Sequence, residues 1–167
     1  MSAIEKLKSA FQRHGTELEY LPDQSRFSWC DLYAAPLPED CGVYCLFSHD
    51  GSRIQKIGKA ESRGGLRVRF RGYTGKKTDL KIANDKTDQR WKRIMTDALI
   101  GERLTLYYFV TAPVTVKSPI RFDNELEHEL NCHWARPFEA HLSKLVRKEC
   151  RERNLLDTHL LLSGAAD

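Results

Sequence analysis

The stretch that most constrains this chain is residues 42 to 60. Val43 to Phe47 is a β-prone run, Asp50-Gly51 is a turn signal, and Arg53 to Ile57 resumes an alternating pattern with Ile54 and Ile57. Two strands joined by so tight a turn pair antiparallel, so this segment predicts a hairpin and the fold must supply a sheet around it.

The flanking segments supply helices. Ser2 followed by Glu5 is a capping-box pattern, Ile4, Leu7, Ala10 and Phe11 form one apolar stripe, and Gly15 is placed to end an N-terminal helix. Residues 16 to 41 contain Pro22, Pro36 and Pro38 and predict an irregular connection, with one short helix near Trp29 to Tyr33. After the hairpin, Gly58, Gly64 and Gly65 loosen a loop before a short helix over Leu66 to Arg71, and the polar stretch from Gly72 to Asp88 predicts a second loop. Trp91, Ile94, Met95, Ala98 and Leu99 recur at helical spacing up to Gly101. Arg103 to Val110 alternates as a third strand, which Thr115 to Phe122 extends or pairs again. Asp123 then caps a helix with Leu126, Leu130 and Trp134 on one side and Pro137 as its breaker, and Phe138, Leu142, Leu145 and Val146 mark a last helix to about Arg153. The expected fold class is α+β, a small three-stranded antiparallel sheet, open to extension, flanked by helices.

With 167 residues, 41% of them hydrophobic and 30% charged, the chain has the composition of one globular domain spanning residues 1–167. It divides into an N-terminal helix and connection over 1–40, a core of about 41–139, and a C-terminal helix and tail over 138–167. No apolar run approaches the roughly 18 residues of a membrane span, so no membrane partner is expected. The N-terminal segment carries Lys6, Lys8 and Arg13 where an export signal would be apolar, which predicts a cytoplasmic location. Five cysteines then read as reduced packing residues. A zinc site would need paired ligand clusters, and Cys41, Cys45, His49, Cys132 and His133 do not make them at finger or ribbon spacing.

Charge is distributed unevenly. Residues 53 to 93 hold 14 Lys and Arg against 4 Asp and Glu, whereas the rest of the chain holds 13 against 19. A local positive field of that kind attracts polyanions, and its self-repulsion is offset when one binds. The alternative is a solvated basic face.

Gly42-Val43-Tyr44 and Lys56-Ile57-Gly58, with Tyr44 and Lys56 twelve residues apart, are followed by Lys59-Ala60 and Leu66-Arg67-Val68-Arg69. This ordered set resembles the GIY-YIG nuclease family over roughly residues 41 to 139. The resemblance implies a three-stranded antiparallel sheet flanked by helices and hydrolysis of phosphodiester bonds in DNA. It is closest in character to compact restriction enzymes or stand-alone nucleases. By position, it implies catalytic roles for Tyr44 and Arg69, matches Lys59 to a basic position after the second tripeptide, and matches Tyr73 to an aromatic position after the arginine helix. The sequence departs from the family at Lys56, where tyrosine is usual; some restriction enzymes of the family look similar there. An ammonium beside a phenol favours phenolate, so Lys56 reads as a substitution that tunes Tyr44.

The resemblance also implies one Mg²⁺ or Mn²⁺ held by a helical glutamate. Glu127, on the expected first helix after the third strand, is the preferred ligand, and Glu139 in Phe138-Glu139-Ala140-His141-Leu142 is the alternate. The roles so implied are a water attacking phosphorus, Tyr44 accepting its proton, the metal on the leaving oxygen and Arg69 on the nonbridging oxygens. Arg67, Arg71, Lys76, Lys77, Lys81, Arg90, Lys92 and Arg93 would hold the DNA backbone. Sequence recognition would come from residues 16 to 41, the 74 to 90 loop or the second subunit of a homodimer. Two other readings compete: a binding module that kept the fold and lost the chemistry, and a zinc-dependent interaction domain.

Overall fold

Every residue from Gly42 to Ser48 is buried, which only a strand covered on both faces and both edges achieves. The computed structural model describes residues 2–21, 26–74, 103–117, 129–132, 134–152 and 161–162. In chain order these form α1 (Ala3–Ala10), β1 (Gln12–Leu21), β2 (Arg26–Trp29), β3 (Gly42–Ser48), β4 (Ile54–Ala60), α2 (Gly65–Thr74), β5 (Arg103–Val110), β6 (Val114–Lys117), β7 (Glu129–Cys132), α3 (Ala135–Glu152) and β8 (Leu161–Leu162).

The main sheet runs β2-β1-β5-β3-β4-β8, antiparallel except for the two-residue β8 alongside β4. A small separate sheet pairs β6 with β7. The α+β expectation holds, with the expected hairpin and third strand as the central three strands β4-β3-β5. Tyr44 and Leu46 share one face with Leu66 and Phe70 of α2, together with Leu18, Phe27 and Leu106. Val43, Cys45 and Phe47 share the other with Leu7 of α1 and Leu142 and Val146 of α3. Alternate β3 residues thus enter two different cores, which is why the run is apolar at both parities.

Local chemistry fixes the ends. Ser2 and Glu5 form the expected capping box, whose loss typically costs about 1 kcal/mol. In the β3–β4 turn Asp50 accepts hydrogen bonds from the Ser48 hydroxyl and from the Ser52 N–H and hydroxyl, which hold its carboxyl below the usual carboxylate range. Burial pushes the Cys45 thiol well above its ordinary range, as befits a packing residue.

Three expectations are corrected. The connection over 16 to 41 contains strands β1 and β2 rather than a helix near Trp29: α1 stops at Ala10, Gly15 lies inside β1, and His14, Leu18 and Tyr20 point into the protein while the glutamates between them do not. Residues 129 to 132 are strand, not helix, because Glu129–Cys132 pairs with the β-branched Val114–Lys117. Pro137 does not break a helix. It sits in the first turn of α3, where its missing N–H has no intrahelical partner to lose. The expected helix over 88 to 100 and the Asp123 cap lie outside the described residues.

Candidate active site

Tyr44 and Gly58 are cross-strand partners on β3 and β4. A methyl group on Gly58 would lie 2.4 Å from both Cζ and the hydroxyl oxygen of Tyr44, so the phenol rests directly on the backbone of β4. Phe70 of α2 meets the same ring edge-on at 4.9 Å. Tyr44 is therefore held between a strand and a helix and is entirely buried.

Helix α2 is aimed by its N-terminus. Its first N–H groups would be orphans in an isolated helix. Here Leu66 donates to the carbonyl of Asp40 and Arg67 to that of Pro38. Gly65 starts the helix at φ 47°, and a side chain there would meet the Asp40 carbonyl oxygen at 1.9 Å. The Arg67 side chain reinforces the join, donating to the Leu37 carbonyl and the Glu39 carboxylate. Arg67 is thus engaged in tying the 37–39 segment to α2, which competes with the expected contact to DNA. Arg71 is exposed.

So placed, α2 brings Arg69 and Tyr73 over Tyr44. The Tyr44 and Tyr73 hydroxyls are 2.6 Å apart, and Arg69 Nε–H donates weakly to the Tyr44 oxygen at 3.4 Å. The Arg69 guanidinium lies 5.0 Å from the centre of the Tyr73 ring and the Lys56 ammonium 5.7 Å from it. Lys56, only 2% exposed, comes from the Tyr44 face of β4. Two phenols and two cations form one cluster, with Tyr73, partly exposed, between Tyr44 and solvent.

Across β4 stands the second half. Lys59, next to Gly58 but on the opposite face, places its Nζ 3.8 Å from Glu139 Oε2 of α3 and 3.5 Å from Glu61 Oε2. Glu139 is 5% exposed. Glu61 also meets Arg136 of α3 at 3.4 Å. From Gly58 to Ala60 the outer edge of β4 has no strand paired to it among the described residues.

The fold resembles bacteriophage T4 EndoII. A solved glutamate-to-alanine mutant of that protein superposes with a TM-score of 0.55, at 19% sequence identity, over 88% of this chain and 96% of that one. At such low identity the likeness concerns the fold. No family model matches the chain, and no curated protein matches it.

The structure brings together Tyr44, Lys56, Arg69 and Tyr73, and joins Lys59 to the alternate ligand Glu139. The preferred ligand Glu127 and the basic residues Lys76, Lys77, Lys81, Arg90, Lys92 and Arg93 lie outside the described residues. Among the described residues, no three His, Cys, Asp or Glu side chains form a metal cluster, and no helix is long and apolar enough to cross a membrane. Sequence reasoning missed Glu61 and Arg136, which look like surface charges until the fold places them beside Lys59.

Gly58 gives a direct test of this packing. Gly58→Ala forces the Tyr44 ring, already backed by Phe70, to shift. Overpacking of this kind costs about 1–3 kcal/mol, so urea unfolding should report a lower midpoint. An unchanged midpoint would show that the phenol is free to yield.

Proposed function

We propose that this chain is a divalent-metal-dependent DNA endonuclease of the GIY-YIG type, hydrolysing phosphodiester bonds beside the Gly58–Ala60 end of β4. The observation that carries the reading is the Tyr44–Tyr73 hydroxyl pair under Arg69, packed against one face of β4, whose other face meets a buried glutamate through Lys59. The fold shared with EndoII supports it.

The donor set fits a hard cation. A buried carboxylate, completed by phosphate oxygens and waters, is an ordinary Mg²⁺ or Mn²⁺ arrangement. Glu139 would hold the ion, in preference to the Glu127 that sequence favoured. When bound, it supplies Lewis-acid stabilisation of the leaving oxygen.

The chain's own groups do the rest. Because Tyr44 is wholly buried, it reaches the attacking water through Tyr73: with Tyr44 in its phenolate form, the Tyr73 hydroxyl passes its proton to the Tyr44 oxygen and takes one from the water, whose remaining hydroxide attacks phosphorus. Arg69 steadies the charge on the Tyr44 oxygen and turns its remaining N–H groups to the nonbridging oxygens, where negative charge grows. Lys56 keeps the cluster electropositive, and exposed Arg71 adds a salt-sensitive contact to the DNA backbone.

The reading is tested by incubating the protein with supercoiled plasmid and phage DNA in Mg²⁺, Mn²⁺ and EDTA. Cutting in either metal and none in EDTA is expected. Salt-sensitive binding with no cutting in any metal would instead identify a module that kept the fold without the chemistry.

A further inference from the structure

Lys59 stands between two carboxylates, at 3.5 Å from Glu61 and 3.8 Å from Glu139. Their surroundings differ. The Glu139 side chain is 6% exposed, whereas those of Lys59 and Glu61 are 27% and 26% exposed. The same Glu61 oxygen is met at 3.4 Å by Arg136, on the first turn of the helix that carries Glu139. The carboxylate assigned above to the metal therefore already faces an ammonium in the free protein. A divalent cation arriving there meets a positive charge within a few ångströms, in a partly shielded place where Coulomb terms are several times larger than in water. The ammonium must withdraw, and its side chain is anchored on β4 next to Gly58.

We infer that Lys59 is the internal counter-ion of Glu139, and that Glu61, held by Arg136, is the acceptor to which Lys59 retreats when a divalent cation takes Glu139. This rests on the assignment of Glu139 made above. Glu61 is then a positioning residue that acts through Lys59 and never touches the ion. Lys59 sets how tightly the ion is held, and its release toward Glu61 leaves an ammonium beside the Gly58–Ala60 end of β4.

The test uses Mn²⁺ alone, without DNA, and the full chain, with free Mn²⁺ followed by electron paramagnetic resonance and folding of each variant checked by circular dichroism. Lys59→Met should bind Mn²⁺ about tenfold more tightly than the unsubstituted protein, the scale of one removed repulsion across a half-exposed site. Glu61→Gln should weaken binding several-fold, and the same change in a Lys59→Met background should do nothing. Equal weakening in both backgrounds would make Glu61 a direct ligand and overturn the inference. So would no effect of Glu61→Gln in either, or no Mn²⁺ bound by Lys59→Met. Glu139→Gln separates the two levels. If it abolishes binding while Lys59→Met changes nothing, the counter-ion role alone fails; if it leaves binding intact, the assignment of Glu139 fails and takes the inference with it.

Discussion

Replacing Tyr44 by phenylalanine is expected to lower metal-dependent DNA cleavage by about 10²–10⁴-fold, the usual range for a positioned acid–base group. The change removes one oxygen and nothing else. The ring stays packed between Gly58 and Phe70, so the fold persists at a cost of about 1 kcal/mol for the lost hydrogen bond. Tyr73 loses its hydroxyl partner at 2.6 Å and Arg69 loses an acceptor, so the proton path from water ends at Tyr73. Single-turnover cleavage in Mg²⁺ checks the rate, and thermal unfolding checks the fold. A variant that cuts at the normal rate would remove Tyr44 from the chemistry.

The second large effect is expected at Glu139. Glu139→Gln keeps the volume and polarity of the side chain but removes the charge that faces Lys59, and should reduce cleavage by about 10²-fold or more in Mg²⁺ and Mn²⁺ alike. Glu127→Gln should leave cleavage unchanged. The pair of variants decides between the two candidate ligands, because a loss at Glu127 with none at Glu139 would move the metal to the other segment and leave Lys59 and Glu61 as a structural ion-pair group.

What could be read from the sequence was what local patterns encode. The Ser2–Glu5 cap, the hairpin around Asp50-Gly51, the strand over Arg103–Val110 and the apolar face of α3 depend on residues close in the chain, and the structure shows each of them, except that Leu145 of the expected face is exposed. Strand β1 was illegible for the opposite reason. Besides its chain neighbour β2 it pairs with β5, some 84–96 residues further along, its period is interrupted at Gly15, and a register shift between Arg13 and Glu17 blurs the alternation that Leu18 and Tyr20 would otherwise announce. Leu130 and Trp134 are four residues apart and so mimic a helical stripe. Leu130 in fact belongs to a strand, and Trp134 is half exposed.

The candidate site divides in the same way. Tyr44, Arg69 and Tyr73 stood in an ordered motif on neighbouring elements, and the fold gathers them into one cluster. The choice between Glu127 and Glu139 rests, in sequence, on which helix comes first after the third strand. Residues 129 to 132 are strand, and Glu139, on the last helix as expected, has its carboxylate 3.8 Å from Lys59 of β4. Glu61 carried no signal, since one glutamate in a basic stretch is ordinarily a solvated charge, and only the approach of α3 adds Arg136 to its chain neighbour Lys59 and sets Glu139 across from that lysine.

The central claim is that the phenol cluster on one face of β4 and the carboxylate on the other serve a single reaction. The most direct measurement is single-turnover cleavage of plasmid DNA by Tyr44→Phe, Glu139→Gln and the double variant, each in saturating Mg²⁺. Groups that act as a unit are strongly non-additive, so the double variant should be hardly slower than the more damaged single variant. Two losses that multiply in the double variant would show that the two halves act independently, and would contradict the account.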